Sequence, residues 1–428
     1  MTSPLRALSF LRHIPHFTPF AVAALLLGTA TSFTGPYLPL FAREAAHMSP
    51  LSLGVFMTLV SLSGILISTG LARWSDRRPG NRAVVLLTVL AAAVGFALLS
   101  MTRSYLPLVL IGCLFLGTGA GAFPQLFALA RAGFGMAGPE LAERGMITLR
   151  SVFSMAWMLG PAVAALILAR LGFTGLFLAT AACYLTVGLP LLLARFRPAP
   201  RPPASERDSA GTPPGDAGPA RRPLALVALS FVLYGISNNM GFIALPLHVT
   251  GALHAPESTV GFLVGLCALL EIPFILGFAL WPRRVPHERL ITLSFALFAG
   301  YFVLLALAPA VWVLAAAQLV RAAVIAVTTT LGMAYFQELM PGRTGTALTL
   351  YTNTGSVGAV LSGVVSGAFA QAFGYQAVFL LCAGLTGAAF LLLAALTLRQ
   401  PGGSPVPGPG QQTGVPGSPE VVRPARSL

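Results

Sequence analysis

Long apolar runs, separated by short basic or Pro/Gly-rich connectors, leave this chain few ways to fold. They lie near Phe20–Phe41, Leu51–Ala72, Ala83–Met101, Leu106–Ala130, Met146–Ala169 and Phe173–Ala194, then near Leu224–Val249, Val260–Trp281, Leu290–Ala308, Val311–Phe336, Ala347–Phe369 and Ala377–Leu398. About 20 apolar residues suffice to cross the hydrocarbon core of a bilayer as a helix. In lipid every backbone N–H and C=O needs a partner inside the protein, so a spanning segment is a helix or part of a closed barrel. These runs are unbroken and rich in Leu and Ala, whereas barrel strands alternate over roughly ten residues. Composition agrees: 9% of the 428 residues are charged, against roughly 25% in a soluble domain, and the mean hydropathy is +0.82. The expectation is an all-α membrane protein with twelve transmembrane helices in a lipid bilayer.

The chain also repeats itself. A shift of 207 positions without a gap carries Gly28 onto Gly235, Pro39 onto Pro246, His47 onto His254 and Gly54 onto Gly261. It carries Gly70, Trp74, Arg77, Pro79 and Arg82 onto Gly277, Trp281, Arg284, Pro286 and Arg289. Such a register points to duplication of one unit. The expected organisation is a six-helix bundle over 1–194, a linker over 195–223, a second six-helix bundle over 224–399 and a tail over 400–428. Pro198, Pro200, Pro202, Pro203, Pro213 and Pro214 stand among Ser, Gly and Arg in the linker. A segment of that kind cannot bury a core and reads as a disordered tether, as does the tail.

The formal charge of +14 is carried on arginines placed between the runs. That placement argues for control of topology and against nucleic-acid binding. With twelve spans, Arg6, Arg12, Arg73, Arg77, Arg78, Arg82, Arg131, Arg144 and the tether arginines fall on one side, joined by Arg283, Arg284, Arg289, Arg343, Arg399, Arg423 and Arg426. Only Arg43, Arg103 and Arg170 fall opposite. Both termini of this multi-pass membrane protein are therefore expected in the cytoplasm. Arg6 and Arg12 precede the first run without a convincing cleavage site, so that run reads as a retained signal anchor. Cys113, Cys183, Cys267 and Cys382 each fall inside an apolar run with no metal-ligand spacing. No hydrolase, zincin or phosphate-loop pattern occurs. The reading is not an enzyme, with no cofactor and no metal.

A parallel pair of six-helix units is the layout of the major facilitator fold, whose halves rock about a central site. The hinge from Gly70 to Arg82 resembles that family's signature between its second and third helices, with Asp76-Arg77 and Gly80-Asn81-Arg82 supplying its parts. The resemblance implies a conformational latch built on Gly70, Asp76, Arg77, Gly80 and Arg82, the acid serving a helix N-terminus and a neighbouring Arg. The spacing departs from the usual pattern, and the second copy has Arg283 where the first has Asp76. The alternative reading of the same residues is as inside-positive anchors only.

Glu271 is the only acid well inside an apolar run, and its counterpart in the first copy is Gly64. A carboxylate at the centre of a membrane helix costs roughly 2.5–3.5 kcal/mol on insertion scales, so it should face a central cavity where a proton can bind and leave. A structural pairing with Arg321, the most deeply placed basic residue, is the other reading. Gln125, Arg150, Trp157, Asn238, Asn239, Gln318, Tyr351 and Asn353 are the further polar or aromatic candidates for substrate binding, with Tyr335 beside them. Amides, aromatic faces and a guanidinium suit a hydroxyl-rich ligand, and they also hold membrane helices together. Gly117, Gly119, Gly121, Gly363 and Gly367 are read as close-contact points between helices.

Three segments carry a finer resemblance: Pro124-Gln125-Leu126-Phe127-Ala128-Leu129-Ala130-Arg131, Leu270-Glu271-Ile272-Pro273, and Phe336-Gln337-Glu338-Leu339-Met340-Pro341-Gly342-Arg343 leading to Leu350-Tyr351-Thr352-Asn353-Thr354. They resemble the bacterial sugar efflux transporter (Set) family from about Ala21 to Leu398. That implies export of sugars, glycosides or their analogues across the bacterial inner membrane, driven by proton antiport. The reading is a secondary transporter working by alternating access as a single copy, with Glu271 as proton and cargo residue and Arg321 tuning or neutralising it. The alternatives are a proton-coupled exporter of amphipathic drugs and, in a different class, a non-transporting membrane sensor or scaffold.

Overall fold

A computed structural model describes residues 14–76, 82–193, 221–280 and 285–399. Among the described residues ten apolar helical stretches are long enough to cross a membrane, and two of them run to 54 and 52 residues. At about 1.5 Å per residue each of those two would be about 80 Å long, far beyond a core of about 30 Å. Both contain a glycine in the left-handed region, Gly172 at φ 64 and Gly374 at φ 82. The chain reverses there. Arg103, just past the end of the helix Arg82–Met101, donates to Thr174 at 3.1 Å, while Arg82 at its start reaches the Leu191 carbonyl at 3.5 Å. The stretch after Gly172 therefore runs antiparallel to Arg82–Met101. Dividing the two long stretches gives twelve spans.

In order these are span 1, Phe17–Glu44; span 2, Pro50–Asp76; span 3, Arg82–Met101; span 4, Tyr105–Ala137; and spans 5 and 6 within Pro139–Leu193. Then come span 7, Arg221–Gly251; span 8, Glu257–Leu280; span 9, His287–Leu307; span 10, Val311–Leu339; and spans 11 and 12 within Thr344–Arg399. Span 1 breaks at Gly35-Pro36, because proline lacks the N–H that would continue the ladder. Span 7 starts at Arg221, so Arg221, Arg222 and Pro223 are helical and not part of a tether; a proline in the first turn loses no intrahelical bond. Most of the expected linker, 194–220, and the tail, 400–428, lie outside the described residues.

The duplication is visible in the backbone. Span 1 ends with Phe41 O accepting from Ala45 N and Ala46 N, both at 3.0 Å, and span 7 ends with His248 O accepting from Ala252 N and Leu253 N at 2.9 and 3.1 Å. Met48 N reaches Ala42 O at 2.9 Å, and its counterpart Ala255 N reaches Val249 O at 3.0 Å. Between these bonds His47 and His254 sit at φ 50 and 48, a region in which His is more common than most side chains. One corner has been used twice.

Each bundle is packed through small residues. In span 4 an added methyl at Gly117 would meet Ser63, and one at Gly119 would meet Ala92. These contacts with spans 2 and 3 are where close approach needs a missing side chain. Span 4 widens to a π-helical turn over Gly112–Leu116 just before them.

The two halves meet at the face opposite the Asp76–Arg82 hinge, called here the far face. Span 2 crosses span 11 with Gly54 against Gly363 and Gly367, and span 8 crosses span 5 with Gly261 against Pro161. Thr58 locks the first crossing: its hydroxyl donates to Val360 O at 2.8 Å and accepts from Val364 N at 2.8 Å. Among the described residues, Gly70, Gly277, Gly345 and Gly355, towards the hinge face, have no atom within 4 Å of a would-be side chain. The far face is closed by these two crossings. Thr58→Val removes both bonds and is expected to favour opening of the far face by about 1–3 kcal/mol. Electron–electron distance measurements between labels on spans 2 and 11 check this, and an unchanged distance distribution sinks it.

Candidate functional site

Below the far-face seal lies a cavity of about 230 Å³ between the halves. Span 5 supplies Ser154 and Trp157, span 7 Phe242, span 8 Cys267 and Glu271, and span 10 Arg321. Helical spacing explains the set: Cys267 and Glu271 are four residues apart and share one face of span 8. Gly35, at the break in span 1, packs against two of these side chains, with Trp157 and Phe242 at 3.1 and 3.5 Å from where its side chain would begin.

Arg321 is only 7% exposed. Its guanidinium stands 5.6 Å from the centre of the Phe242 ring, a cation–π contact that holds a charge in an apolar place. Glu271 lies within electrostatic reach of Arg321 and, across the cleft, of Arg150. Among the described residues the ion pairs are Arg144–Glu140 and His287–Glu338. Glu271 and Arg321 thus line one cavity without closing a salt bridge, and both keep capacity for a ligand.

The other candidates are placed differently. Arg150 is exposed on span 5, and Tyr351 feels its charge from span 11. Tyr351 itself donates to Thr328 O at 3.0 Å and packs edge-on against Phe231 and Phe336, which ties span 11 to span 10. Tyr335 belongs to the same apolar cluster. Gln318 is fully buried and donates to Leu314 O at 3.1 Å, and Asn239 donates to Gly235 O at 2.8 Å. The buried Asn238 Oδ1 has no hydrogen-bond partner among the described residues. Gln125 is buried in the first bundle at 5% exposure, away from the residues lining the central cavity, and Asn353 is exposed. Of the latch, Gly70 stands in open space, Asp76 is the last residue of its helix, and Arg82 begins the next. Arg77 and Gly80 lie outside the described residues.

Phe242 and Ser154 are the functional candidates that sequence reasoning passed over. Phe242 lies four residues after Asn238, so the helical period that singled out the asparagine also reaches the ring. Among the described residues no group of His, Cys, Asp and Glu could hold a metal ion.

A sequence profile described as the Major Facilitator Superfamily matches residues 20–231 and 227–427. The chain belongs to the Major Facilitator Superfamily. It is 47% identical over 388 residues to a Deinococcus radiodurans protein whose provisional name is sugar efflux transporter, a match covering 90% of this chain and 99% of that protein. Sugar efflux transporter A of Dickeya chrysanthemi is 33% identical over 381 residues, 88% of this chain and 95% of that one. In structure the chain is similar to the nucleoside transporter NupG, with a TM-score of 0.74 at 14% identity over 89% of this chain and 99% of the other. The superfamily member described here is a twelve-span membrane transporter whose relatives are named for sugar efflux.

Proposed function

We propose that the protein exports sugars, glycosides or sugar analogues across the bacterial inner membrane by alternating access, exchanging them for protons. The observation that carries this reading is the pairing of Glu271 and Arg321 as unbridged charges in one cavity between the halves. A lone intramembrane carboxylate is a functional residue by default, and here it stands where either face could reach it once the halves rock. Trp157 offers an aromatic wall for the apolar face of a sugar ring, while Glu271, Arg321 and Ser154 offer acceptors and donors for hydroxyls. The cavity volume of about 230 Å³ falls below the roughly 300–1,000 Å³ usual for drug-sized ligands, which suits a small cargo. The arginine asymmetry supports cytoplasmic termini, and with them a hinge face that opens to the cytoplasm. The hinge, with Asp76 before Arg77 and Arg82, would hold that face shut in the opposite state. A single copy contains both halves of the site.

Everted membrane vesicles with an imposed pH gradient test the proposal through uptake of labelled lactose or glucosides. Uptake that collapses with the gradient is expected; movement of a cationic dye with no sugar uptake sinks the sugar reading. Phe242, Val264 and Ile275 in the cavity wall favour a second reading, an exporter of amphipathic compounds. Ser154→Ala and Trp157→Ala separate the two. For sugar export Ser154→Ala should lower apparent affinity about 5–10-fold, the loss of roughly one hydrogen bond. For drug export only Trp157→Ala should matter.

A further inference from the structure

Inside the first bundle a cavity of about 170 Å³ lies between spans 1, 3, 4 and 6. It shares no lining residue with the central cavity. Span 1 gives it Leu27 and Thr31, span 3 Phe96, span 4 Leu116 and Phe123, and span 6 Tyr184. Leu116 closes the π-helical turn of span 4, a distortion that recurs at functional sites. Phe96 and Tyr184 stack with ring centres 5.7 Å apart and planes 11° from parallel. Tyr184 is 5% exposed, and among the described residues its hydroxyl has no hydrogen-bond partner. That hydroxyl is not sealed inside the packing as the hydroxyl of Tyr375 is; the surface it keeps belongs to a side chain that lines the cavity. An unpaired buried hydroxyl is costly and uncommon in native proteins.

The duplication shows what the first copy leaves out. The register that joins His47 to His254 carries Leu27 onto Tyr234 and Gly121 onto Thr328. In the second copy the Tyr234 ring stacks on Phe295, with centres 5.1 Å apart and planes at 12°, and its hydroxyl shares a 2.9 Å hydrogen bond with Thr328. A phenol there joins span 7 to span 10 and has its hydroxyl paired. In the first copy the same two positions are leucine and glycine, so spans 1 and 4 lack that bridge and a cavity lies between them at this level. Its other side-chain hydroxyl, on Thr31, is engaged with Leu27 O and Gly28 O at 3.0 Å. Tyr184 is left as the one polar side chain in the wall with its hydrogen bond still to make.

We infer that this cavity is a binding site for a free monocyclic phenol, whose ring takes the place that Tyr234 fills in the second copy and whose hydroxyl pairs with Tyr184. The size agrees, since a dry cavity of about 150 Å³ lined by apolar side chains takes up benzene. Phe96, Phe123 and Tyr184 offer ring faces and edges to an aromatic guest. A phenolic hydroxyl both gives and takes a hydrogen bond, which completes the Tyr184 hydroxyl; a saturated acyl chain would not. A sugar is disfavoured, because one free hydroxyl in an apolar wall leaves most of its own hydroxyls unpaired. Every lining residue belongs to the first half, so rocking of the halves neither opens nor closes the cavity. The occupant is a resident of one bundle and not cargo, and the inference does not rest on the transport reading.

The test is fluorine NMR of the purified full-length protein in detergent micelles, with 4-fluorophenol and fluorobenzene as probes and protein-free micelles as the blank. Wild type is expected to bind one equivalent of 4-fluorophenol saturably, displaced by phenol, and fluorobenzene about 5–10-fold more weakly, the difference of roughly one hydrogen bond. Tyr184→Phe, checked as folded by thermal melting, should bind the two probes equally, with 4-fluorophenol weakened about 5–10-fold. Leu27→Tyr, which installs the residue of the second copy, should bind neither. Thr58→Val, which biases the arrangement of the halves, should leave 4-fluorophenol affinity unchanged. No saturable signal above the micelle blank overturns the inference and leaves water as the partner of Tyr184. Equal binding of both probes to wild type overturns it as well, reducing the cavity to an apolar void, and so does a preference for 4-fluorophenol that survives Tyr184→Phe. Affinity lost in Thr58→Val would place the ligand between the halves and reject this site. Saturable binding by a protein that moves no sugar in vesicles would keep the site and reject the transport reading.

Discussion

Replacing Glu271 by Gln should separate exchange from pumping. The amide keeps the size and hydrogen-bonding outline of the carboxyl but cannot lose a proton. In proteoliposomes the variant is expected to exchange labelled for unlabelled sugar across the membrane, yet to accumulate none against a gradient when a pH difference is imposed. Concentrative uptake should fall at least about 10²-fold, since coupling worth some 3 kcal/mol is removed. Arg321→Gln should instead weaken both activities, because it leaves a carboxylate in an apolar cavity with its nearest buried countercharge gone. Undiminished gradient-driven accumulation by Glu271→Gln rules out the proton role. Loss of exchange as well as pumping shifts Glu271 from coupling to cargo binding.

The second large effect is expected at Gly54 and Gly261. A side chain on either would run into a backbone carbonyl, of Gly363 in one case and Pro161 in the other. Backbone cannot swing aside as the end of a flexible side chain can. Overpacking of this kind costs about 1–3 kcal/mol, or roughly 5–150-fold in a two-state population. Gly54→Val and Gly261→Val should each shift the molecule toward the state open at the far face and cut transport about as much, without loss of folded protein. Label-to-label distances across the far face should lengthen in both variants. Lengthening in one but not the other means that the two crossings do not act together.

Much of this architecture was legible in the sequence, for physical reasons that can be named. Apolar length gives a span wherever it occurs, so runs such as Val311–Phe336 were placed within a few residues of the helix Val311–Leu339. The duplication was readable because Gly, Pro and His stand at backbone positions that both copies need, as at His47 and His254. Glu271 could be singled out because a carboxylate is rare in such a run. What each polar residue touches was not legible. A helix apolar on every face has no period to say which side looks at a cavity and which at another helix. Gln125, Gln318 and Tyr351 therefore looked equivalent to Trp157, yet Trp157 alone among these four lines the central cavity. The Arg321–Phe242 contact joins spans 7 and 10, and separations of that size leave no local pattern.

The far-face seal has a further consequence. Gly54 in the first copy presses on span 11 of the second, and its duplicate Gly261 presses on span 5 of the first. Contact of i with j answered by contact of j with i is the rule of an isologous, two-fold interface. The joint is that of a homodimer written into one chain, in which solving one crossing solved both. A six-helix ancestor that paired with itself through this glycine would already have owned a gate, and the linker would have come afterwards. Expressed as separate polypeptides cut between 194 and 220, the halves should still find each other through these two crossings.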